Sequence, residues 1–340
     1  MDYFGFVKRA YEITKKYRFI WWLGLLAMFA EGGAGGNFYN FNSAGLPADL
    51  FNTQTQEKST QTPVPVLDEP SGVLAKNTGR VLGDSITVAE ENFFQTATGI
   101  AVIGAIILII ILIALVIMYI SHAAKAGLIL SVQKLETENK ELGFGGGFKA
   151  GKVFAWRLIG LKILIGLIIL AYFAVVGVPI VLLALFAPWM VALVVGLVIG
   201  IPALVLLVPL FIYLGLIDLI GSREMVLKQK RIIASIKSAH RLLHQKLGPA
   251  VVVWLVSVLV GIVYSFAILV AVILIGGVLF LIGLMFYFIA EIAMIIYAII
   301  AGLALFVALF IIAGIFTGFV STYWTLAYLT LSKNTISAHN

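Results

Sequence analysis

Between Lys246 and Lys333 the chain runs for 86 residues with a single side chain of Asp, Glu, Lys, Arg or His, Glu291. About 18 consecutive apolar residues already read as a membrane-spanning helix, because a hydrocarbon layer of about 30 Å is crossed at about 1.5 Å per residue. This stretch is long enough to cross more than once. With no water in the layer, its backbone must satisfy its hydrogen bonds internally, and helices do so. The sequence therefore predicts an all-α integral membrane protein. Only 11% of the 340 residues are charged, against about 25% in soluble proteins. Cysteine is absent, which excludes disulfides, thiolate chemistry and Cys-based metal sites.

A net charge of +7 would suggest nucleic acid in a soluble chain, but here the placement of the charges carries the information. Of the 23 cations, 19 fall in four groups: Lys8 to Arg18, Lys125 to Arg157, Arg223 to Lys246, and Lys333. The segment from Gly32 to Gln95 holds three cations against seven carboxylates. The positive-inside rule puts the four basic groups in the cytoplasm, the N-terminus among them, and the acidic segment outside.

Three parts follow: an amphipathic helix plus first span over 1–31, a polar extracytoplasmic loop over 32–95, and a membrane domain over 96–340 with cytoplasmic helices at 121–157 and 222–247. Phe6, Ala10, Ile13, Tyr17 and Ile20 form one stripe, as an interfacial helix would present to the inner leaflet. The apolar run Phe19 to Ala30 is short for a span and reads as crossing with help from its helical lead-in, ending at Glu31, with a signal peptide as the rival reading. Later spans are expected at 96–119, 157–186, 191–220, 249–276 and 303–331, about six in all. Gly143 to Gly147 should stop any helix. Ile232, Ile236, Ala239, Leu243 and Leu247 make a second amphipathic stripe. An inside C-terminus requires an even number of crossings after Pro249. Two ordinary spans leave about 25 residues over, assigned to a re-entrant or interfacial helix over 277–300, with three or four shorter crossings as the alternative. The break after the second span and the break near Gln229 each lead into a short amphipathic segment and a new span, a pattern that an internal repeat and a shared apolar bias explain about equally well.

The run Ala10-Tyr11-Glu12-Ile13-Thr14-Lys15-Lys16-Tyr17-Arg18-Phe19-Ile20-Trp21-Trp22-Leu23-Gly24-Leu25-Leu26-Ala27 with the glycine cluster after it, the segment Arg223 to Pro249, and Thr322 to Tyr328 together resemble a group of uncharacterised prokaryotic membrane proteins. These are similar to the membrane domain attached to some glycerophosphoryl diester phosphodiesterases. The resemblance implies a polytopic fold in a bacterial-type plasma membrane. It does not extend to the hydrolase, whose activity belongs to a separate soluble barrel that has no counterpart here.

Glu291 is the first candidate site, since an ionisable group within a span is a functional hypothesis by default. Asp218 ends the fourth span beside Gly221 and Arg223 and reads as a solvated helix end or local ion pair. Lys8, Arg9, Lys15, Lys16, Lys230, Arg231, Lys237 and Arg241 suit anionic lipid headgroups. Gly196 with Gly200 and Gly314 with Gly318 have the spacing that lets helix backbones approach. His240 and His244 share a helix face, but no third ligand or intervening Glu accompanies them. No nucleophile with a base and no paired carboxylates appear, and no cofactor is implied. The expectation is a non-enzymatic scaffold, assembly or lipid-organising subunit. Its expected partners are membrane lipids and a second copy or a membrane-complex subunit, not nucleic acid. A transporter or channel with Glu291 lining the path is the alternative.

Overall fold

The structure, a computed structural model, describes residues 2–31, 97–186, 188–287 and 291–336. Seven helices carry them: α1 (Tyr3–Lys16), α2 (Phe19–Ala27), α3 (Ala97–Glu138), α4 (Gly143–Phe186), α5 (Trp189–Leu227), α6 (Ile232–Tyr287) and α7 (Glu291–Ile336). No strand occurs among the described residues. Helices α3 to α7 are long and apolar enough to cross a membrane, which makes this an all-α, multi-pass membrane protein. The polar segment 32–95 lies outside the described residues.

Two compact units divide the chain, Gly45–Val116 and the remainder, Met1–Ala44 with Ile117–Asn340. Of the smaller unit the described part is the apolar opening of α3, where large side chains from Ile100 to Val116 are exposed. The larger unit has a core drawn from α1, α2 and one portion of each long helix: Ser121 to Leu135, Phe154 to Ile165, Leu214 to Val226, Ser235 to Val256 and Ala313 to Leu331.

The charge-poor stretch becomes two long helices. Lys246 leaves helical geometry (φ −135°, ψ 40°) and divides α6 into an amphipathic segment from Ile232 and an apolar helix ending at Tyr287. That apolar helix and the 46-residue α7 are each about 60–70 Å long at 1.5 Å per residue, roughly twice the hydrocarbon thickness. Among the described residues, those of 277–300 form no separate helix: Gly277 to Tyr287 continues α6, and Glu291 opens α7. Gly276 and Gly277 do not break α6, because in an apolar setting the backbone has no better hydrogen-bond partner than its own helix. The surplus residues lengthen helices.

Helix α2 has nine residues and covers about 14 Å, too little to cross by itself. Both predicted amphipathic stripes form, but they face protein. Ala10, Ile13 and Ile20 are buried in the larger core with Phe6 and Tyr17 packed on it, and Ala239 and Leu243 are buried there too. Leu247 lies outside that packing, half exposed.

The glycine cluster also departs from expectation. Gly143, in the left-handed region at φ +66°, starts α4, and the next glycines belong to the helix. A side chain on Gly151 would lie 2.9 Å from the Gly127 Cα, so these glycines let α3 and α4 cross backbone to backbone. The breaks before α4 and α6 each hold a non-glycine residue at positive φ, Asn139 and Gln229, both at 53°. One backbone geometry thus serves both halves of the suspected repeat.

Candidate functional site

Four ionisable side chains from four helical elements meet inside the larger unit. Lys125 of α3 lies 2.7 Å from Glu31, just beyond α2, and 3.7 Å from Asp218 of α5. Lys162 of α4 lies 2.9 Å from the same Asp218 oxygen. The side chains of Lys125, Glu31 and Asp218 are at most 5% exposed, while that of Lys162 is 32% exposed and forms the outer edge. Among the described residues two cations balance two anions. This balance is what permits their burial, since an unmatched charge in low dielectric is strongly unfavourable.

Local sequence explains how Lys125 reaches the interior. Ala123, Ala124, Ala126 and Gly127 surround it, so this part of α3 is thin enough for α4 to approach closely. Its four-carbon stem then runs through apolar packing and delivers the ammonium to the carboxylates. One turn earlier, the Ser121 hydroxyl donates to the Leu26 carbonyl at 2.6 Å and fixes the end of α2. His122 donates from Nδ1 to the Met118 carbonyl at 2.8 Å. Its Nε2 is buried with no hydrogen-bond partner among the described residues. Burial pushes the Glu31 carboxyl up; the nearby ammonium of Lys125, with Lys162 beyond it, outweighs this and holds it below its ordinary value of 4.5.

A second cluster is built around Glu224 at the end of α5. Its carboxylate accepts from Lys228 at 2.9 Å, Lys230 at 2.8 Å and the Tyr328 hydroxyl at 2.9 Å. The neighbouring Arg223 turns inward and donates to the carbonyls of Leu219 at 2.7 Å and Ser321 at 3.3 Å. Both clusters close contacts between helices. Among the described residues no group of three or more His, Cys, Asp or Glu side chains is placed to hold a metal.

Against the sequence-derived candidates the structure gives a mixed result. Of the two readings of Asp218, the solvated helix end does not hold, as the residue is 3% exposed, while an ion pair does form, with lysines of other helices. Glu291 opens α7, and its side chain lies outside the described residues. Lys8, Lys15, Lys16, Arg231, Lys237 and Arg241 are exposed. Arg9, also exposed, pairs with Glu12 at 3.6 Å and Glu136 at 3.3 Å, and Lys230 is committed to Glu224 and to Ser238 at 2.6 Å. Gly314 and Gly318 do pack closely, against α2: a Cβ on Gly314 would lie 2.7 Å from the Leu25 Cα, and one on Gly24 would lie 2.7 Å from the Gly318 nitrogen. Gly196 and Gly200 do not, since a Cβ on Gly200 would meet nothing within 4 Å and one on Gly196 only Ile180 at 3.9 Å. His240 binds the Tyr213 hydroxyl, and its ring lies 6.4 Å from that of His244.

Glu31, Lys125, Lys162 and Glu224 are the functional candidates that sequence reasoning missed. The rule that singles out Glu291 applies equally to Lys162, which lies within the apolar run that begins after Arg157. For Lys125 the signal was the run of small residues around it. No curated protein and no solved structure matches the chain. A family model described as a family of unknown function (DUF7544) matches residues 8–335, and the chain belongs to that family.

Proposed function

We propose that this chain is a non-enzymatic membrane protein, a scaffold or lipid-organising subunit of a bacterial-type plasma membrane with its N-terminus in the cytoplasm. One observation carries the reading: exposed apolar surface and buried polar groups occupy different portions of the same helices. Leu170 and Val175 of α4, Leu204 of α5, Phe266 and Ile273 of α6 and Leu303 and Phe306 of α7 are half exposed or more, as lipid-facing side chains would be. Buried Glu31, Lys125 and Asp218, with Lys162 at their edge, lie elsewhere, in a network of ion pairs that fixes α2 to α3, α4 and α5. Such a construction favours a rigid basic platform on a lipid-exposed anchor. The distribution of cations supports the cytoplasmic side for that platform.

A transporter is the second reading, favoured by the burial of four ionisable groups together. Purified protein reconstituted into sealed liposomes distinguishes the two. A scaffold gives no flux of protons, alkali cations or small anions above empty liposomes, and Glu291→Gln leaves its cellular role intact, whereas deleting residues 3–18 abolishes it. Flux that disappears in Glu291→Gln or Lys162→Gln would overturn the reading.

A further inference from the structure

A cleft of about 470 Å³ opens between α1, α6 and α7, well within the size range of small-molecule sites. Its walls are apolar: Val260, Val263 and Ala267 on α6, and Ile312, Ile315 and Phe319 on α7. Tyr264 and Phe316 stack with ring centroids 3.7 Å apart and line it together. The α1 side has a different character, with Tyr11, Thr14 and Lys15 lining it, followed by Trp21. Lys15 is exposed, its ammonium 5.8 Å from the Tyr11 ring centroid. Thr14 is 4% exposed, and its hydroxyl has no hydrogen-bond partner among the described residues, although its carbonyl accepts from Trp21 Nε1 at 2.7 Å.

An apolar slot with a cation, a buried unpartnered hydroxyl and two amphipathic aromatics along one wall matches an amphiphile with a negative head. We propose that this cleft seats one acyl chain of an anionic phospholipid, its phosphate at Lys15 and an ester oxygen within reach of Thr14. The proposal rests on the lipid-organising reading and makes it specific: α1, whose apolar stripe is spent on protein, still meets the bilayer through a single bound lipid. Charge complementarity selects the headgroup, one cation near the surface giving about a fivefold preference. Shape selects the chain, because Ala267 leaves space that a larger residue would close.

Native mass spectrometry of the full-length protein tests this, after delipidation in detergent and addition of equal amounts of phosphatidylglycerol and phosphatidylcholine. The wild type should hold one phosphatidylglycerol in about fivefold preference over phosphatidylcholine. Lys15→Gln should keep one lipid and lose the preference, and Ala267→Trp should hold none. The melting temperature of each variant, measured without lipid, should stay at the wild-type value; if Ala267→Trp unfolds, Ile315→Trp takes its place. Equal retention of both lipids by the wild type, or undiminished retention by the tryptophan variant, would overturn the proposal. The flux measurement is independent of this cleft, so silent liposomes together with an empty cleft would remove the lipid site and leave the scaffold reading standing.

Discussion

Each long helix of the larger unit has two portions, and they answer to different solvents. In α7, Leu303, Phe306 and Val307 stand exposed, while Tyr323, Trp324, Ala327 and Tyr328 are buried a few turns later. The first portion is aliphatic and phenylalanine-rich. The second adds hydroxyls and rings that reach across to neighbours, as Tyr323 does to the Val253 carbonyl at 3.0 Å and Trp324 to Ser257 at 3.1 Å. In lipid, apolar burial gives helices little reason to associate, so association depends on close backbone approach and polar contacts. Both are concentrated in the second portion.

The largest break in this comparison comes from removing one partner of the buried network. Lys125→Met should lower stability in detergent by about 3–5 kcal/mol, because Glu31 loses the ammonium at 2.7 Å and Asp218 loses one of its lysines. Differential scanning fluorimetry checks it. Acidification touches the same network with a smaller effect. The folded pKa of Glu31 lies below its ordinary 4.5, so its contribution is present above that value and is lost as the pH falls through the lower, folded value. Melting curves between pH 7 and pH 3 should decline at the acid end, and less steeply in Glu31→Gln.

Glycine variants sharpen the contrast at smaller cost. Gly314→Ala places a methyl against the backbone of α2 and should destabilise by about 1–3 kcal/mol. Gly200→Ala meets open space and should be neutral or stabilising, within about 1 kcal/mol. Melting temperatures of the two variants in one detergent decide between them. Equal losses would mean that the two portions pack alike.

Much of the fold was legible because it depends on composition and period. Charge-free length identified the spanning helices, and helical spacing marked the stripes of α1 and of α6 near Ala239. What those stripes face was not legible, since an apolar stripe fits lipid and protein equally well and the choice was made by α7 and α5 lying alongside. The same limit applied to glycine pairs: Gly196 with Gly200 and Gly314 with Gly318 have identical spacing, and only the latter has a neighbouring backbone against it. The ionic network was least visible. Its members lie 31, 125, 162 and 218 residues into the chain, and what pairs them is the way α2, α3, α4 and α5 pack, not any local pattern. Of the two readings of Asp218 the solvated end failed, and the ion pair formed with partners that no local pattern reveals, as Lys162 and Lys125 arrive from other helices.

The separation of lipid-facing from protein-facing portions is tested most directly by photolabelling the reconstituted protein with a diazirine-bearing phospholipid and mapping the adducts by mass spectrometry. Adducts should fall within 100–116, 166–208 and 258–312, with none at 121–132, 214–226 or 320–331. Labelling of those last three segments at comparable yield, or protection of Leu170, Leu204, Phe266 and Leu303, would contradict it.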